Sequence, residues 1–131
     1  MVVAVADTHA LIWALLGSPR LSPTARAAMT VAGTDSVGVS AISLVEVVYL
    51  EEKGRLPAGI FSRIASALGA SAGALVEIPL DAAVAQTLTL VNRDSIPDMP
   101  DRIIAATALH LGVPLISRDG KIRASSITTI W

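Results

Sequence analysis

The chain predicts an α/β fold: a three-layer α/β/α arrangement with a mostly parallel, about five-stranded central sheet flanked by helices. Two observations carry this. Short apolar runs of strand length alternate with longer helical patterns along the whole of the 131 residues. The helical stretches also begin and end at residues whose chemistry suits helix termini. Strands are expected at 2–6, 36–40, 74–79, 113–117 and 126–131, with right-handed crossovers between them. Ser22 followed by Pro23 places a capping hydroxyl before an N1 proline, and Asp81 can cap a helix running to Val91. Gly54 and Gly112 follow helical runs as stop residues. Residues 17–19 and 95–97 read as loops and 69–73 as a small-residue turn, none long enough to divide the chain, so 1–131 is expected to be one domain.

Composition excludes more than it asserts. The chain has no cysteine, which removes thiol nucleophiles, cysteine zinc sites and disulfides. Hydrophobic residues reach 53%, above the usual range of about 45–50%, and so raise the question of a membrane segment. The longest apolar runs, such as 10–16, are far below the roughly 20 residues that a spanning helix needs. No basic region precedes the first apolar stretch, as a secretory signal would require, and a cytoplasmic protein without a membrane partner is expected. Ten Lys and Arg against eleven Asp and Glu give a net charge of −1, with no basic footprint for nucleic acid. Four acids neutralised by a divalent metal would leave a mildly positive balance, so RNA or DNA remains open as a partner.

The chemistry rests on carboxylates. Asp7 ends the run Val2-Val3-Ala4-Val5-Ala6 and precedes the helical Thr8-His9-Ala10-Leu11-Ile12-Trp13. In open α/β sheets ligands bind beyond the carboxyl ends of strands, so a helix cap and a catalytic acid both fit this position. Glu46 lies in 43–50, where apolar residues fill most positions, and partial burial is forced on it. Ionised and buried, it needs an arginine, hydrogen bonds or a metal. Glu51 and Glu52, beside Lys53 at the helix end, are expected in solvent.

Asp98-Met99-Pro100-Asp101-Arg102 opens the helical run 103–109. Pro100 belongs to the first turn, making Asp98 a cap and Asp101 a first-turn acid, while Ala105 and Ala108 allow close packing behind them. Asp119 follows the fourth strand in Ser117-Arg118-Asp119-Gly120, and Asp-Gly is also a common turn pair. If Asp7, Glu46, Asp101 and Asp119 met at one sheet edge, each charge would raise the others' pKa. A divalent cation resolves that conflict, and oxygen-only ligands favour Mg²⁺ or Mn²⁺. Water attack on a phosphodiester is the chemistry such a site supports.

Other features are weaker. His9 and His110 have no metal-ligand partner at useful spacing and read as structural. Trp13, Tyr49, Phe61 and Trp131 are the only aromatics, which argues against base recognition by a stacking platform and leaves RNA choice to backbone shape and a few polar contacts. Residues 10–16 and 45–50 carry more apolar side chains than one buried stripe requires, which suits either a dense core or a partner surface.

Four segments in order, Asp7–Trp13, Ser40–Glu46, Pro100–Ala108 and Leu115–Asp119, resemble the PIN domain, and more narrowly the VapC-type toxins of bacterial toxin–antitoxin pairs. The resemblance runs from Val2 to Trp131. It implies a PIN-like fold and an endoribonuclease using Mg²⁺ or Mn²⁺, with the family acids at Asp7, Glu46, Asp101 and Asp119 and Asp98 as an accessory acid. Ser117 matches a hydroxyl that helps organise such sites. Thr8 and Ser43 are further supporting candidates, and Arg102 or Arg118 would hold substrate phosphate. The same resemblance implies a cognate antitoxin lying over the active site and a homodimer. Competing expectations are a PIN nuclease of RNA processing, a PIN-like protein that only binds its partner, a receiver-like Mg²⁺-binding module and a phosphatase with an aspartyl nucleophile. Asp7 lacks the neighbouring acid that a receiver needs, and His9 stands where the phosphatase would place its second acid.

Overall fold

Five strands, β1 (Val2–Ala6), β2 (Ser36–Ser40), β3 (Leu75–Ile78), β4 (Leu115–Ile116) and β5 (Thr129–Ile130), pair in parallel in the order β3-β2-β1-β4-β5. The helices between them are α1 (Thr8–Leu16), α2 (Pro23–Met29), α3 (Ala41–Glu52), α4 (Ile60–Gly69), α5 (Ala82–Thr87), α6 (Met99–Leu111) and α7 (Gly120–Arg123), with a 3-10 turn at Leu88–Leu90. This is a computed structural model, and it describes residues 1–70 and 73–131, so the turn expected at 69–73 falls partly outside the described residues.

The strand periodicity of two divides the core into two layers. Ala4 and Ala6 of β1, Val37 and Val39 of β2 and Ile116 of β4 pack with Leu11, Ile12, Val47, Ile60 and Ile64 on one face. Val5 and Leu115 turn to the other face, against Val84, Val91, Ile96, Ile104 and Ile122. Gly38 lies between Val37 and Val39, where an added Cβ would stand 2.9 Å from Ile78 Cγ1 and 3.3 Å from Val2 Cγ1. Close approach of the strands' side chains thus requires glycine there.

The chain steps outward from β1 to β2 and β3, then returns to β4 on the other side of β1. That reversal puts a topological switch point at the carboxyl ends of β1 and β4. Ala6 pairs with Ile116, and the Asp7 amide donates to the Ile116 carbonyl at 3.0 Å. Asp7 and Ser117 therefore leave the sheet side by side.

Several helix ends follow the sequence signals. Ser22 Oγ accepts from the Ala25 amide at 3.0 Å, Asp81 Oδ1 from the Val84 amide at 3.0 Å, and Gly112 closes α6 with φ 67°. Others differ. The segment after Asp81 is α-helical only to Thr87 and tightens into the 3-10 turn before Val91. Strands β4 and β5 are two-residue ladders within the longer expected runs, because β4 pairs only with Val5 and Ala6 of β1. Glu51 is not simply solvated: its Oε1 accepts from the Phe61 amide at 2.9 Å. The α4 N-cap is Gly59, which has no side chain to offer, so a carboxylate from the preceding helix satisfies an orphan donor. Among the described residues no helix is long and apolar enough to cross a membrane.

Candidate active site

Asp7 is the N-cap of α1, its Oδ1 accepting from the Ala10 amide at 2.8 Å, and it is only 8% exposed. Burial raises its pKa, hydrogen bonds from Ser117 and the Ala10 amide and the nearby His9 oppose that rise, and the Asp119 charge adds to it. The helix cap and the candidate acid are thus the same residue, one oxygen being committed to the helix. Ser117 is fully buried and accepts from the Asp119 amide at 3.1 Å. The same hydroxyl also lowers the Asp7 pKa, so Ser117 stands by both acids that follow neighbouring strands.

Glu46, half-buried on α3, is reached from α1. Thr8 Oγ1 donates to Glu46 Oε1 at 2.7 Å and lies 3.0 Å from Ser43 Oγ. A hydroxyl has one proton, so with Thr8 committed to Glu46 the Ser43 hydroxyl supplies the proton of the second bond. Thr8 and Ser43 are both buried. Desolvation raises the Glu46 pKa, the Thr8 bond opposes it, and the charges of Asp98 and Asp7 add to it.

Asp101 sits in the first turn of α6, whose cap is Asp98: Asp98 Oδ2 accepts from the Asp101 amide at 3.1 Å. Burial and then the charges of Asp98, Asp119, Glu46 and Asp7 push Asp101 up to about 7. Every one of these influences acts in the same direction. Asp119 caps α7 instead of forming an isolated Asp-Gly turn, Oδ1 accepting from the Lys121 and Ile122 amides at 2.9 and 3.1 Å.

These acids line one cleft of about 460 Å³ together with Thr8, His9, Trp13, Arg20, Arg118 and Gly120. An adjoining lobe of about 570 Å³ shares Glu46, Asp101 and Asp119 and adds Asp98, Ile96, Pro97 and Lys121. Asp98 thus borders the lobe rather than the main cleft. The two arginines part company. Arg118 lines the cleft with its guanidinium carbon 4.7 Å from the Trp13 ring centre. Arg102 donates to the carbonyls of Leu88 and Val91, both at 3.0 Å, and lines neither lobe.

Among the described residues, no three His, Cys, Asp or Glu side chains are gathered tightly enough to hold an ion as they stand. The donor set nonetheless fits a hard divalent cation: it is dominated by four carboxylates, and burial with mutual repulsion raises the pKa of Asp7, Glu46 and Asp101.

A family model described as the PIN domain matches residues 4–126. Ribonuclease VapC22 from Mycobacterium tuberculosis is 30% identical over 134 residues, spanning all of both chains. The chain belongs to the PIN-domain family. Among solved structures, VapBC2 from Rickettsia felis bound to a DNA fragment from its promoter matches with a TM-score of 0.71 at 16% identity, covering 98% of this chain and 97% of that one. A toxin–antitoxin complex from Klebsiella pneumoniae matches with a TM-score of 0.68 at 24% identity, covering 98% and 96%.

In this PIN domain the sequence reading missed the cleft residues His9, Trp13, Arg20 and Lys121. His9 was in reach, lying two residues after Asp7 on the same first helical turn. Arg20 had no such signal, since only the tertiary path of the loop after α1 brings it to the cleft.

Proposed function

We propose that this PIN domain is a Mg²⁺- or Mn²⁺-dependent endoribonuclease and the toxin of a type II toxin–antitoxin pair, with 1–131 acting as one domain in the cytoplasm. The observation that carries the reading is the meeting of Asp7, Glu46, Asp101 and Asp119 in one cleft at the switch point, where burial and the neighbouring acids push Asp101 up to about 7. Arg20 and Arg118 line the same cleft, yet neither is among the influences on Asp101, so a divalent cation from outside would relieve it. The relative named a ribonuclease supports the substrate class.

The four carboxylates would hold the ion, with Asp98 as an accessory acid. Bound there, the ion would polarise a phosphoryl oxygen and lower the pKa of water for attack on phosphorus. Ser117 fixes Asp7 relative to Asp119, and Thr8, backed by Ser43, fixes Glu46. Such supporting hydrogen bonds orient ligands and are worth about 10–100-fold in affinity or activity. Arg118, lining the cleft, would meet a substrate phosphate, whereas Arg102 donates through Nη2 to the Leu88 and Val91 carbonyls and holds its Nε buried away from the cleft without a partner among the described residues. The exposed Val45, Val48 and Tyr49 on α3 offer an apolar surface to a cognate antitoxin or a second copy in a homodimer.

Purified protein should cleave RNA with Mn²⁺ or Mg²⁺, stop on addition of EDTA and lose activity in Asp7→Asn. Undiminished cleavage by that variant would sink the proposal. Co-expression with the small reading frame beside its gene tests the antitoxin: growth arrest by the chain alone, relieved by the neighbour, is expected.

A further inference from the structure

Four aromatic residues scattered along the sequence suggest no stacking platform, yet the fold packs Trp131 behind Trp13 and sets the His9 ring beside Trp13 at the cleft. Trp13 stands 5.9 Å from Trp131 in an edge-on arrangement, with ring planes at 64°. His9 stands 5.6 Å from Trp13, tilted by 48°. Arg118 covers Trp13 as a cation–π partner. Held on these sides, Trp13 is only 9% exposed and has no face left for a ligand. His9 is the exposed end of the series. It lines the main cleft and also the adjoining lobe, so its ring stands where the two spaces meet, beside the acids.

We infer that His9 is the base-contacting residue of the cleft: its ring stacks on one nucleobase of the RNA next to the scissile phosphate, with Trp13 and Trp131 bracing it from behind. The inference rests on the ribonuclease reading above and adds to it a determinant of cleavage position. Among the described residues His9 is the one ring that lines both spaces; Trp13 lines the main cleft alone and is enclosed. A strand whose phosphate lies over the carboxylates has a sugar and base on either side. The flat surface within reach of one of them is the imidazole, while Arg118 lines the same cleft with a guanidinium that can meet a phosphate. Stacking of a base on a protein ring is worth about 1–3 kcal/mol, or about 5- to 150-fold. Trp131 acts only through Trp13 and is a positioning residue.

The experiment uses a short RNA with a single cleavage site, made as a series in which one nucleotide at a time lacks its base. Wild-type protein with Mn²⁺ should lose about 5- to 150-fold in kcat/KM at one abasic position flanking the cut. His9→Ala should lose as much on the intact RNA and become indifferent to that abasic position. His9→Phe, which keeps a flat ring, should retain the preference, and Trp131→Leu should weaken it while Trp131→Phe restores it. His9 is exposed, so its variants should fold. Fluorescence anisotropy with the same labelled strands on Asp101→Asn protein, which does not cut, should show the same ordering in Kd. Independent penalties from His9→Ala and the abasic unit, or a His9→Phe variant as weak as His9→Ala, would overturn the inference. Failure of wild-type protein to cut any strand would instead overturn the ribonuclease reading and this one with it.

Discussion

Replacing Asp101 with asparagine separates the energetic burden of the carboxylate cluster from its use. The carboxyl is pushed from 3.8 to about 7 by burial and by four neighbouring acids. Each pKa unit corresponds to 1.36 kcal/mol, so above pH 7 a fully shielded group so shifted would carry a destabilisation of about 4 kcal/mol. Asp101 is only half-buried, and solvent screening reduces this to on the order of 1–2 kcal/mol. Asparagine has nearly the same shape and no charge. It gives up the favourable interaction of a first-turn acid with the α6 dipole, about 0.3–1 kcal/mol, so relief of repulsion wins. Asp101→Asn should therefore stabilise the metal-free protein by about 1 kcal/mol, a rise of roughly 3–5 °C in Tm. The assay is thermal unfolding in EDTA at pH 8, run beside RNA cleavage in Mn²⁺, where the variant should be inactive. A variant that is less stable than wild type in EDTA, or that cleaves normally, would refute the reasoning.

Three further outcomes follow from the same contacts. The unfolded Asp101 releases its proton near pH 4 and the folded one near 7, so the folded state binds more protons between them; Asp7 and Glu46 are shifted in the same direction. Stability of the metal-free protein should fall as pH rises through this window, and Tm measured in EDTA from pH 4.5 to 8 should show a flatter profile in Asp101→Asn. Thr8→Val keeps the buried volume but removes the hydroxyl that donates to Glu46, so Mn²⁺ affinity and kcat should drop about 10–100-fold with about 1 kcal/mol lost in stability; unchanged kinetics would contradict that positioning role. Arg102→Ala and Arg118→Ala should diverge. The first loses two hydrogen bonds to backbone and should unfold about 1–3 kcal/mol more easily in urea with little change in KM, whereas the second should raise KM for RNA at nearly unchanged stability.

How much of this the sequence shows depends on how local each determinant is. Strands β1 and β2 occupy the expected 2–6 and 36–40, because an apolar run bounded by polar residues needs no distant partner to be recognised. Strands β4 and β5 are shorter than expected because the extent of β4 is set by its pairing to β1 and that of β5 by its pairing to β4, which no local pattern encodes. The Asp119-Gly120 pair reads locally as a turn, and only the amides of Lys121 and Ile122 closing on Asp119 show it to start α7. The acids themselves are legible, since a carboxylate at a strand end or amid apolar positions is conspicuous. What joins them is not: the Ser117 link between Asp7 and Asp119, the Thr8 bond to Glu46 and the ring contacts from His9 to Trp131 all bridge segments far apart in the chain. Arg102 and Arg118 look alike beside their acids, and their different roles come from tertiary neighbours alone.

The proposed site stands or falls on direct Mn²⁺ binding, measured by isothermal titration calorimetry on wild-type protein, on Asp7→Asn, Glu46→Gln, Asp101→Asn and Asp119→Asn, and on Asp81→Asn, whose carboxylate caps α5 outside the cleft. Wild type and Asp81→Asn should bind alike, with each of the four cleft variants weaker by about tenfold or more. Absence of binding by wild type, or equal affinity across all the proteins, would contradict a metal centre built from these four carboxylates.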